Sequence, residues 1–151
     1  TRAALSKAAS DRGLHLVLGM IAKSDTVYAS LRAVLADSDV LLVLPDSAVV
    51  DASALQNLLI AAYRQRVPVV AYSPSLVKAG ATLGLYASPA QVGKQVAALL
   101  RLSVSSQSWP APRLADGFTI AVNEQVCRSM GLDVPDAAEL TEAIRRQEVG
   151  R

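Results

Sequence analysis

The sequence predicts an α/β fold: a mostly parallel, open sheet of about four to five strands with helices on both faces. One complete unit carries most of that reading, the stretch from Val40 to Pro74. Val40–Leu44 is an apolar run short enough for a buried strand and too short for a membrane span. From Ala52 to Arg66 apolar residues recur at Leu55, Leu58, Leu59, Ala62 and Tyr63, the spacing of one buried helical stripe. Val67–Tyr72 is a second apolar run, closed by Ser73-Pro74-Ser75. Strand, helix and strand at this separation make a parallel βαβ unit, whose crossover is right-handed in nearly all proteins.

The remaining elements follow in order. Thr1–Asp11 reads as a helix, with Ala4, Leu5 and Ala8 at helical spacing and Gly13 as its stop. It has no N-cap before it and the chain starts without Met, which suggests an excised or processed piece with an earlier strand removed. Leu14–Ile21 is expected as a strand, with the lone His15 as a structural side chain inside it. Ser24-Asp25-Thr26 offers an N-cap for a helix over Val27–Ala36, with Val27, Leu31, Val34 and Leu35 inward. After Pro74, Ser75–Ala79 forms one helical turn ending at Gly80, and Ala81–Tyr86 forms a strand in which Gly84 marks a weak point or a close backbone approach. Ser88-Pro89 is a cap followed by proline at the first helical position. It starts a helix over Pro89–Leu102 with Val92, Val96, Leu99 and Leu100 on one face. Ser103–Arg113 reads as a connection, Phe118–Val122 as a short strand, and Asn123–Met130 as a helix stopped by Gly131. Pro135-Asp136 opens a last helix to about Glu148. The whole, 1–151, is one α/β domain, with 1–87 the main lobe and 88–151 helical and crossing segments.

Composition narrows the function. The 151 residues suffice for one domain with a real core. Hydrophobic residues make up 52% and aromatics only 4%, so the core is built from Leu, Val and Ala. The net charge is +2, and no basic stripe interleaved with aromatics is present, which argues against nucleic-acid binding. One cysteine, Cys127, and one histidine exclude an intrachain disulfide and leave no Cys/His metal set. No membrane span or signal peptide is visible, and no cofactor motif (GxGxxG, P-loop or GxSxG) occurs.

The candidate site lies at strand ends. Asp46, Ser47, Ser73 and Ser75 come just past the carboxyl ends of two strands, where open α/β sheets bind ligands. A carboxylate there has free acceptor capacity for an ammonium or hydroxyl. The same residues also suit turns and caps. Tyr72 and Tyr86 end strands and serve either as walls of a site or as packing with a wet hydroxyl. Asn123 reads equally as an N-cap and as a cleft residue. No catalytic triad assembles from one buried-looking histidine and a helical Cys127, so no catalytic residue is assigned. A second reading is a receiver- or flavodoxin-like signalling or protein-interaction domain with Asp46 as a phosphoacceptor mimic. It lacks the acidic pair that Mg²⁺ requires after the first strand, where Lys23-Ser24-Asp25 stands.

Three segments carry a resemblance. VLLVLPDSAVV, RVPVVAYSPSLVKAGATLGLYASPAQVGKQVAALL and FTIAVNEQVCRSMGLDVPD occur in that order. They resemble the DALFVLPD strand end, the PVxxxSxxLVxxGA segment and the VxxNxxxAxxLGLxxP tail of ABC-transporter substrate-binding proteins of the periplasmic type I class. Similarity covers only the second half of such proteins, and the strand end here reads Asp46-Ser47 where the family often has Asp-Asn. The resemblance implies one lobe of a two-lobed, non-enzymatic carrier that closes on a small polar molecule. It implies an ABC permease as partner and a periplasmic or extracytoplasmic location. Ala81–Leu102 would then cross toward the other lobe and Phe118–Asn123 would lie near a later crossing. Apolar surface left unpaired in an isolated copy implies a homodimer.

Overall fold

The computed structural model describes residues 2–19, 27–45 and 52–149. Among these the elements run α1 (Arg2–Ser10), α2 (Val27–Ala36), β1 (Leu41–Leu42), α3 (Ala52–Arg64), β2 (Val69–Ala71), α4 (Pro74–Ala79), β3 (Leu83–Tyr86), α5 (Pro89–Ser106), β4 (Thr119–Val122), α6 (Glu124–Met130) and α7 (Ala137–Val149).

The four strands form one sheet in the order β1-β2-β3-β4. β1 and β2 pair in parallel with Leu41 opposite Val69, and β2 and β3 in parallel with Val70 opposite Leu83. The expected βαβ unit is therefore β1–α3–β2 with its strands adjacent. β4 runs antiparallel to β3, from Leu83 opposite Val122 to Tyr86 opposite Thr119. The sheet is thus mostly parallel with one reversed edge strand. The ladder continues past the formal end of β1, since the Val43 amide donates to the Val70 carbonyl at 2.9 Å.

The core sits between this sheet and α2, α3 and α4. Leu35, Leu58, Leu59 and Ala62 meet Val43, Val69 and Ala71, with Leu76 and Ala81 closing the far side. Every member is aliphatic, as a chain with so few aromatics requires. Thr82 is the one buried polar residue among those described. Its Oγ1 accepts a hydrogen bond from the Val69 amide at 3.1 Å, so the hydroxyl is satisfied rather than orphaned.

Several boundaries differ from the sequence reading. The strand expected at Leu14–Ile21 does not form over 14–19, where the backbone has no ladder partner and Leu14 is 63% exposed. His15, expected inside that strand, is exposed. Residues 20 and 21, the Ser24-Asp25-Thr26 cap and the side chain of Val27 lie outside the described residues. α3 stops at Arg64 rather than Arg66 because Arg66 takes the left-handed conformation (φ 57°) that glycine usually supplies at a helix end. Tyr63, expected on the buried stripe, is 46% exposed. α5 runs four residues past Leu102, to Ser106, where the hydroxyls of Ser105 and Ser106 both donate back to the Leu102 carbonyl. α5 buries none of its residues.

Candidate functional site

Because β1, β2 and β3 are parallel, their carboxyl ends share one edge of the sheet. The reversed β4 begins at that edge, so residues 117–119 stand beside Tyr86. The edge is therefore framed by the ends of β1 and β2, the β3–α5 connection and the start of β4.

Ser73 and Ser75 come together here. Ser73 is the N-cap of α4, in extended backbone (φ −149°), and its hydroxyl accepts from the Leu76 amide at 3.3 Å. Pro74 at the first helical position has no amide to satisfy, which fixes where the turn becomes helix. The Ser73 and Ser75 hydroxyl oxygens lie 3.0 Å apart, forming a polar pair whose exposed member is Ser75. A hydroxyl pair both donates and accepts, and so suits an uncharged polar group or a carboxylate more than a cation. Tyr72 is half-buried, with part of its side chain packed against the core. Tyr86 is half-buried at the end of β3. Asp46 and Ser47 lie outside the described residues.

Asn123 is not part of this edge. It follows β4, and its amide donates to the Thr82 carbonyl at 2.9 Å, at the opposite end of β3 from Tyr86. There its Oδ1 accepts from the Val126 amide at 3.1 Å, capping α6, while Nδ2 donates to the Val77 carbonyl at 2.8 Å. Of its two readings the cap is the one realised. Cys127 is buried in α6, and burial pushes its thiol pKa up, with Glu124 adding to the shift. A thiol held protonated is a poor nucleophile. No group of three or more metal-ligating side chains occurs among the described residues.

Sequence reasoning missed Gln91. Its side chain joins the capping box of α5 to the start of β4, accepting from Ser88 N–H at 2.7 Å and from the Thr119 hydroxyl at 3.1 Å. The Ser88-Pro89-Ala90-Gln91 spacing announces the local half of that role. The contact with Thr119 requires the antiparallel pairing, which no local pattern announces.

A sheet of this order, opened at one edge and reversed at the last strand, is the architecture of one half of a periplasmic-binding-protein-like fold. The sequence profile described as ABC transporter substrate binding protein matches residues 2–139, and the chain belongs to that family. Among solved structures, it is similar to a conserved domain protein from Vibrio cholerae O1 biovar El Tor, with 26% identity and a TM-score of 0.70 over 93% of this chain. It is also similar to a ligand-free, open substrate-binding protein with adhesive properties from Clostridium difficile, with 27% identity and a TM-score of 0.66 over 88% of this chain. A third similar structure, an ABC domain in complex with L-Trp from Streptococcus pneumoniae, shares the fold at 12% identity, with a TM-score of 0.65 over 88% of this chain. The chain spans 45% to 47% of the length of these three proteins. Comparison with curated proteins gave no match.

Proposed function

We propose that this chain is one half of a non-enzymatic, extracytoplasmic solute-binding component of an ABC-type import system, which delivers a small polar ligand to a permease. The observation that carries the reading is the shared carboxyl edge of three parallel strands, bearing the Ser73–Ser75 hydroxyl pair, in a chain of the substrate-binding family. The ligand contacts are Asp46, Ser47, Ser73 and Ser75, with Tyr72 and Tyr86 as walls. The L-Trp held by the pneumococcal neighbour favours an amino acid or a similar small zwitterion as the ligand class. No helix among the described residues is long and apolar enough to cross a membrane. In this reading residues 88–151 supply the crossings to the second lobe, and an isolated copy covers its exposed apolar face with a second copy of itself.

A thermal-shift screen against amino acids, nucleobases, sugars and small carboxylates tests it. A ligand at about 100 times its dissociation constant adds about 2.7 kcal/mol, several degrees for a domain of this size. The expected result is a hit with the two-lobed protein that Asp46→Ala weakens without lowering the melting temperature of the unliganded protein. Silence from the 151-residue chain and the two-lobed protein alike would move the assignment to an interaction domain.

A further inference from the structure

We propose that Gln91 and Gln95 form a two-rung clasp that fastens the outgoing and returning connections of the α5 arm together, so that the two bend as one hinge. The chain leaves the sheet after Tyr86 and re-enters it at Thr119, and these residues face each other across the β3–β4 ladder. Everything between them, α5 and residues 107–118, stands on that pair of connections. α5 buries no residue, so packing alone does not fix its direction.

The two glutamines supply what packing does not. At the root, Gln91 Oε1 accepts from the Ser88 amide of the outgoing connection at 2.7 Å and from the Thr119 hydroxyl at 3.1 Å. Its Nε2 donates to the Phe118 carbonyl of the returning connection at 2.9 Å. One turn further along the same helix face, Gln95 Nε2 donates to the Leu114 carbonyl at 2.9 Å, and its Oε1 accepts from the Asp116 amide at 3.2 Å. The returning segment lies flat on this face, since a Cβ added to Gly117 would stand 3.4 to 3.5 Å from the Gln91 side chain. A primary amide donates and accepts from one planar group, so the glutamine side chain bridges a carbonyl on one side and an N–H on the other. The clasp matters most where, as in the two-lobed reading on which its purpose rests, α5 carries Val92, Val96 and Leu100 toward a second lobe. Two connections tied together then pivot in step.

The test needs no ligand, so a failed ligand screen leaves it intact. Spin labels on Lys78→Cys in α4 and Arg101→Cys in α5 report the arm's direction relative to the sheet, and amide exchange reports the rungs. In Gln91→Met, which keeps shape and removes the hydrogen bonds, the label-distance distribution should broaden about twofold and the Ser88 amide should exchange about tenfold faster. The Thr82 amide, bonded to the Val69 carbonyl within the sheet, should keep its rate. Gln95→Met, altering the more exposed rung, should speed the Asp116 amide about tenfold and likewise spare Thr82. An unchanged distribution in Gln91→Met, or unchanged exchange at either rung, overturns the clasp. If Thr82 accelerates equally in Gln91→Met, the outer-rung variant decides: local release of Asp116 upholds the clasp, and general loosening overturns it.

Discussion

At Gly84 the sheet and α4 approach more closely than any side chain permits. A Cβ there would stand 2.6 Å from Val77 Cγ2 and 3.4 Å from the Ser73 carbonyl oxygen. Val77 is itself buried, so it has little room to yield. Gly84→Ala should therefore cost about 1–3 kcal/mol by overpacking. Chemical denaturation of Gly84→Ala, Val77→Ala and the double variant measures this. The prediction is that the second substitution recovers part of the first loss, with a coupling of about 0.5–3 kcal/mol, and strict additivity would contradict it. The same approach positions Ser73, because the residue that caps α4 is also the one whose carbonyl Gly84 passes beneath. The sequence marked Gly84 as a weak point or a close approach; burial and contact select the second.

At the scale of elements, Asn123 ties α6 to α4 from the end of β4. Its two hydrogen bonds do different work, since Oδ1 caps α6 and Nδ2 reaches the Val77 carbonyl. Asn123→Asp keeps the acceptor and turns a carboxylate toward that carbonyl, while Asn123→Ala loses both bonds. Losses of about 1 kcal/mol for Asp and about 2 kcal/mol for Ala are expected in urea unfolding. An Asp variant as stable as the parent would show that the Val77 bond contributes nothing. The caps at Ser88 and Asn123, and the stop glycines at Gly13, Gly80 and Gly131, were legible because each acts on its own helix end. What was not legible is set by distant partners. The pattern at Leu14–Ile21 suits a strand, yet pairing is settled by partners distant in sequence, and 14–19 forms no ladder. The reversal of β4 separates Asn123 from the edge that holds Ser73 and Ser75. For the site itself, Ser73 and Ser75 lie together because one short turn joins them, and Tyr72 packs partly against the core beside them.

At the scale of the whole molecule, the exposed residues Val92, Val96 and Leu100 recur at intervals of four along α5, each between 44% and 47% exposed. Trp109 and Leu114 are more exposed still. A contiguous apolar face of this kind is unusual on a free monomer. In isolation the 151-residue chain should therefore sediment with a concentration-dependent increase in mass, and Val96→Lys should return it to a monomer with its helical content intact. A monomeric parent at every concentration would remove a second copy as the cover for that face. The helices and strands of the core, by contrast, need no such cover, since Leu58, Leu59, Ala62, Val69 and Ala71 are already shielded within this chain.

The pairing of Tyr86 with Thr119 has one more consequence. Two antiparallel neighbours whose facing ends are consecutive in the sheet are, topologically, a hairpin, and everything from residue 87 to residue 118 is its loop. The sheet's own connectivity survives if that loop is exchanged for a tight turn, because none of the core aliphatics comes from it. The architecture thus separates into a compact body and an interchangeable graft. The length and surface of the graft can therefore be changed without touching any residue of the core cluster beneath it.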